Sequence, residues 1–186
     1  MSGLPGIPLV IPESGADTIA AAARKIEEIV GKMGWGQPGR MFAFQRDQDV
    51  VSVHEAPSLG EAHPGLLLQA FALELWTNPD TAAKVHRRFP RLCGFAVAFE
   101  GWVVQEPDDP AERAQLEQDR IARRLDTRPD RVESRIVLVM MDDRREAYVE
   151  RLRGGPATDG QAMTGMVLQS LRAFAASAFL TKDVAA

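Results

Sequence analysis

One cysteine, Cys93, stands among 186 residues. An intramolecular disulfide is therefore excluded, which suits a reducing cytosol. Lysine is nearly as scarce, at four residues against 18 arginines. Basic residues (22) are outnumbered by acidic ones (26), giving a net charge of -4. A dedicated nucleic-acid binder usually carries a basic excess, so that class is disfavoured. No uninterrupted apolar run reaches the roughly 20 residues a membrane helix needs. The most apolar stretch, 160–180, is broken by Gln161, Gln169 and Arg172. The N-terminus lacks a basic region, and Pro5, Pro8 and Pro12 break any helix there, so it does not read as a signal peptide.

Signature motifs of chemistry are missing too. Neither G-x-S-x-G nor G-x-x-x-x-G-K-[ST] occurs. The three histidines, His54, His63 and His86, and Cys93 are scattered, without the short spacings of zinc ligands. Asp142-Asp143 and Asp108-Asp109 fall where turns and helix caps favour aspartate anyway. Pro129-Asp130 with Glu133-Ser134-Arg135 only echoes a PD…ExK nuclease, with short spacing and arginine for lysine. No catalytic residue, metal site or cofactor is expected.

What is present is an ordinary packed-domain composition, 45% hydrophobic and 26% charged. Residues 1–16 read as an extended, proline-fixed apolar arm, and 17–182 as one domain. The spacing of Ile19, Ala22, Ala23, Ile26, Val30 and Met33 predicts a helix over 17–33. Two strands follow at 40–46 and 50–55. Leu66, Leu67, Leu68, Phe71, Leu73, Leu75 and Trp76 predict a helix over 63–77 that is apolar all round, and hence buried. Asn78-Pro79 restarts a helix to 89. Strands are predicted over 94–105, 132–141 and 146–152, with a helix from Asp109 to Leu125 and a last one over 161–180. Hairpins dominate. The expected fold is α+β, a mostly antiparallel sheet of about five strands with helices on one face.

The run Gly34-Trp35-Gly36-Gln37-Pro38-Gly39-Arg40-Met41-Phe42-Ala43 resembles the GW-x-QP-x-R-x-FA pattern of actinobacterial and actinophage proteins of unknown function. His63-Pro64 before an apolar helix, the Gly101-Trp102 pair, Leu152-Arg153-Gly154-Gly155 and Leu171-Arg172 are similar landmarks. The 109–125 helix departs from the pattern. The resemblance implies a one-domain cytosolic α+β protein and transfers no catalytic residue.

Three surfaces are candidates for function. Trp35, Arg40 and His54 would line a small-molecule cleft, with Trp35 a platform and Arg40 a fork for an anion. Turn chemistry with Trp35 closing the core is the simpler account of that run. Lys84, Arg87, Arg88 and Arg91 form a basic patch that would contact an acidic partner or, weakly, nucleic acid. Residues 113–153 hold eleven arginines against nine acids, the mixture of a salt-bridged surface. Finally, Met163, Met166, Val167, Leu171 and Phe174 form one stripe of the last helix, with Leu168, Ala175 and Phe179 on another side. Such a helix is sandwiched in a core or shared with a partner. The leading expectation is a non-enzymatic, cytosolic interaction protein that forms a homo-oligomer, a dimer first, through this helix, the arm, or both.

Overall fold

Strands β4 (Leu92–Val103) and β5 (Val132–Met141) lie beside each other inside a seven-stranded sheet, and both are apolar on both faces. That double requirement sets the architecture of the computed structural model. It describes residues 7–9, 16–47, 50–56, 59–60, 62–122, 124–160 and 166–181. The sheet order is β1-β3-β2-β4-β5-β6-β7, every neighbouring pair antiparallel. The remaining strands are β1 (Ile7–Leu9), β2 (Arg40–Asp47), β3 (Val50–Glu55), β6 (Glu146–Leu152) and β7 (Ala157–Asp159). The helices are α1 (Ala16–Gly31), α2 (Pro64–Thr77), α3 (Pro79–Arg88), α4 (Pro110–Ile121) and α5 (Met166–Leu180). The fold is a single α+β domain, as the order of hairpins and helices predicts.

Successive side chains of a strand point to opposite faces, so one strand feeds two cores. Met41 and Ala43 of β2, Phe95 and Val97 of β4, and Ile136 and Leu138 of β5 meet α2 and α5. Phe42 and Phe44, Ala96 and Ala98, and Val137 and Val139 meet α1 on the other side. The helices therefore cover both faces, not one. Ile19, Ala22, Ala23, Ile26 and Val30 give α1 the stripe that closes the second face.

Two strands exceed the expected five. Ile7–Leu9, inside the N-terminal arm, pairs along β3, so this part of the arm is the sheet's edge. Ala157–Asp159 adds β7 at the other edge. β4 runs unbroken through Gly101.

Local caps follow the sequence. Asn78 accepts from the N–H groups of Asp80 and Thr81 ahead of Pro79. Asp109 does the same for Ala111 and Glu112 ahead of Pro110. α4 is tied down through Asp119, whose carboxylate accepts from Arg128 at 2.9 Å, Gln115 at 3.2 Å and Arg124 at 3.3 Å. The hydrogen bond from Arg128, ahead of those from Gln115 and the charge of Arg124, holds this carboxyl below its usual range against partial desolvation. A depressed carboxyl stabilises the fold above its unfolded pKa, and that contribution is lost as pH falls through the folded value. Asp119→Asn is accordingly expected to lower the urea midpoint at neutral pH and to leave it nearly unchanged once pH is acid enough to protonate the wild-type group. A difference between the two proteins that persists undiminished in acid would refute the ionic role.

The arginine-rich stretch behaves as a paired surface: Arg128 also holds Asp130, Arg145 holds Asp143, and Arg153 holds Glu133.

Candidate functional site

Gly34 and Gly36 adopt φ of 87° and 78°, a backbone that residues with a Cβ rarely take. Those two glycines turn the chain between α1 and β2 and aim two amides at the end of β4. Glu100 Oε2 accepts from the N–H of Gly36 at 2.7 Å and of Gln37 at 3.1 Å. Its Oε1 accepts from Arg135 Nη2 at 2.7 Å and Nε at 3.1 Å. Arg135 is 1% exposed and also donates to the Gly34 carbonyl. Its guanidinium lies 4.5 Å from the Trp35 ring centroid, with Arg153 at 5.7 Å. Behind it, Glu27 of α1 lies 3.5 Å from Arg135 and takes a fork from Arg151 at 2.7 Å on each oxygen. The Gly-Trp-Gly-Gln-Pro-Gly run is thus the outer end of a buried ionic chain, Arg151–Glu27–Arg135–Glu100.

Trp35, Arg40 and His54 do not converge. Trp35 is held by Arg135 and Arg153. Arg40 is ion-paired with Glu55, on the α1 side of the sheet with Phe42. His54 alternates with the buried Val53 and so faces the other side. There its Nε2 lies 3.0 Å from Ser52 Oγ, and its ring lies 6.1 Å from that of Phe89. A cleft of about 880 Å³ does open beside the glycine loop, but Gln37, Pro38, His63, Phe99, Trp102 and Asp126 line it, together with Glu100. His63 Nδ1 accepts from the Gly65 N–H at 3.2 Å as the α2 cap, and both Glu100 oxygens are occupied. Among the described residues no cluster of three or more His, Cys, Asp or Glu could hold a metal. Among the same residues no helix is long and apolar enough to cross a membrane.

No family model, curated protein or solved structure matches the chain.

The stripe expected on the last helix lies inside the chain. Val167, Leu171 and Phe174 are buried among α2 and the sheet, and Met166 is half-buried. Met163 lies outside the described residues. α5 is sandwiched: its second stripe, Leu168 and Ala175, is buried as well. Val167, Leu171 and Phe174 offer no surface to a partner, because α2 packs against the side of α5 that the sheet leaves open. The exposed apolar surface sits on the neighbouring helix. In α2 only Gly65, Leu68, Ala72 and Leu75 are buried, so the helix is not enclosed as its composition suggests. Leu66 is 46% exposed, Leu73 64%, Trp76 65%, and Leu180 at the end of α5 61%. A groove of about 570 Å³ runs beside Trp76, lined by Leu75, Pro79, Ala82, Ala83 and Leu180, with Asp80 and Thr181 at its polar positions. The sequence signal for this was an apolar helix with no polar face, which needs a cover on every side and has one on a single side.

Of the basic patch, Lys84, Arg87 and Arg88 are exposed on α3. Arg91 follows the helix and has a partner of its own.

Proposed function

We propose that this chain is a non-enzymatic, cytosolic interaction protein that pairs with a second copy of itself through the outer face of α2. The observation that carries the reading is the run of exposed Leu66, Leu73 and Trp76, extended by Leu180. Ten residues of helix separate Leu66 from Trp76, roughly 15 Å of contact length. Large contiguous apolar surfaces mark association sites. A second copy fits because α2 carries one ionised side chain, Glu74. Its Oε1 accepts from Asn78 at 2.8 Å and Thr81 at 2.9 Å, which directs this carboxylate to the α2–α3 junction and away from the face of Leu66 and Leu73. Two-fold pairing is self-complementary: each Trp76, a convex anchor, meets the partner's groove beside Pro79 and Leu180.

Light scattering after size exclusion at micromolar concentration is expected to give twice the 20.4 kDa chain mass. Trp76→Ala removes an anchor worth about 2 kcal/mol or more, weakening the dimer roughly 30-fold. Leu73→Glu with Trp76→Glu is expected to give a monomer with unchanged far-ultraviolet circular dichroism. A monomeric wild-type protein would sink the reading. So would a dimer that ignores both substitutions.

A further inference from the structure

The basic residues of α3 differ from most other cations of this acidic chain; among the described residues only Arg131, which lies over Trp102, and Arg144 share their lack of a carboxylate. Across β5, β6 and α4 the arginines sit on carboxylates: Arg128 on Asp119, Arg135 on Glu100, Arg151 on Glu27. At the edges Arg24 holds Asp159 and Arg172 holds Glu146. Lys84, Arg87 and Arg88 have no carboxylate partner among the described residues, although Asp80 stands one turn from Lys84 on the same helix. Arg88 touches only a ring, lying 5.5 Å from the Phe89 centroid. The negative end of the α3 dipole accommodates cations there, but it leaves all three charges facing solvent and unneutralised.

From this we infer that Lys84, Arg87 and Arg88 form a ridge for the phosphate backbone of nucleic acid, bound weakly and without sequence preference. The inference does not depend on self-association. Phosphates are favoured over a lipid surface by what the rest of α3 does. An interfacial helix sinks an apolar face into the bilayer. In α3, Ala82 is buried, Val85 packs against the core and Phe89 beyond it is buried. Past its first turn, where Pro79, Asp80 and Ala83 line the groove beside Trp76, what α3 presents outward is basic charge at two successive turns, and such charge reads phosphates and not base edges.

Fluorescence polarisation with a labelled single-stranded oligonucleotide tests this, beside flotation with vesicles of phosphatidylcholine and phosphatidylserine. Three phosphate contacts predict a slope of about -2 in log K against log salt, a roughly 20-fold loss between 50 and 200 mM salt. The variant Lys84→Ala, Arg87→Ala, Arg88→Ala is expected to lose that salt-sensitive binding. A charge-matched control, Arg24→Ala, Arg120→Ala, Arg172→Ala, removes three ion-paired arginines and is expected to keep it. The inference is overturned by absence of oligonucleotide binding at 50 mM salt. Equal loss in the control, or binding to vesicles and not to the oligonucleotide, overturns it as well. The dimer-breaking variant Leu73→Glu, Trp76→Glu separates the two readings, since its monomer retains the ridge. Loss of oligonucleotide binding there, with the ridge intact, also counts against the ridge.

Discussion

Arg135→Ala is expected to cost about 3–5 kcal/mol of folding free energy, the range seen when one partner of a buried charge set is removed. Arg135 is 1% exposed, so the loss is not softened by water. Three groups lose their partner together. Glu100 Oε1 loses its contacts at 2.7 and 3.1 Å, the Gly34 carbonyl loses its donor, and Trp35 loses the cation on its ring. Glu27 keeps the fork from Arg151, so the damage concentrates at the glycine loop. Urea unfolding followed by circular dichroism reads the stability, and tryptophan emission reports Trp35 losing its stacked cation. Arg135→Lys retains the charge without the planar fork and is expected to fall between wild type and alanine. It supplies a measurement if the alanine variant does not fold. A loss below about 1 kcal/mol in both would mean that the chain from Arg151 to Glu100 is incidental to the fold.

That chain marks where the sequence stopped being legible. Helix and strand identities followed from local patterns: the stripe of α1, the Asn78-Pro79 restart, and the alternation of β4. The antiparallel sheet followed from the hairpins. Glu100, by contrast, carries no local sequence signal, because its partners are Gly36, Gln37 and Arg135, dozens of positions away in the chain. Pairing across a sheet places such residues together, and no short window contains both. The same applies to the helix layers. From Ile136 onward β5 is apolar on both faces, which demands a helix on each side, whereas the order of hairpins by itself points to helices on one. His54 and Arg40 illustrate the period-two rule: their parity along β3 and β2 puts them on opposite faces.

Within one chain the α5 stripe is buried, for a related reason. Two apolar sides on one helix are compatible with a partner subunit and with a sandwich between sheet and α2, and composition does not separate the two. The position of α2 does. It packs against α5 and hands its own outer side to solvent, so the apolar surplus inferred for α5 is carried by Leu66, Leu73 and Trp76.

Phe174 and Trp76 therefore make opposed predictions that divide core from contact surface. Phe174 is 4% exposed and sits edge-on to Phe95 at a centroid distance of 4.7 Å. Phe174→Ala is expected to cost about 3–5 kcal/mol through lost burial and the cavity left beneath α2. The ring geometry adds to that cost, since edge-to-face pairs are worth about 0.5–1.5 kcal/mol beyond area. Among molecules that remain folded, its dimer affinity is expected to be that of wild type, because nothing on the outer face of α2 has changed. Trp76→Ala reverses the pattern: the exposed indole contributes little to folding, so the urea midpoint measured on dilute monomer stays put while the dimer weakens. Denaturation at several protein concentrations separates the cases, since only linked association makes the midpoint depend on concentration. If Phe174→Ala abolishes the dimer while leaving monomer stability intact, α5 is shared between subunits after all, and the outer face of α2 is not where copies meet.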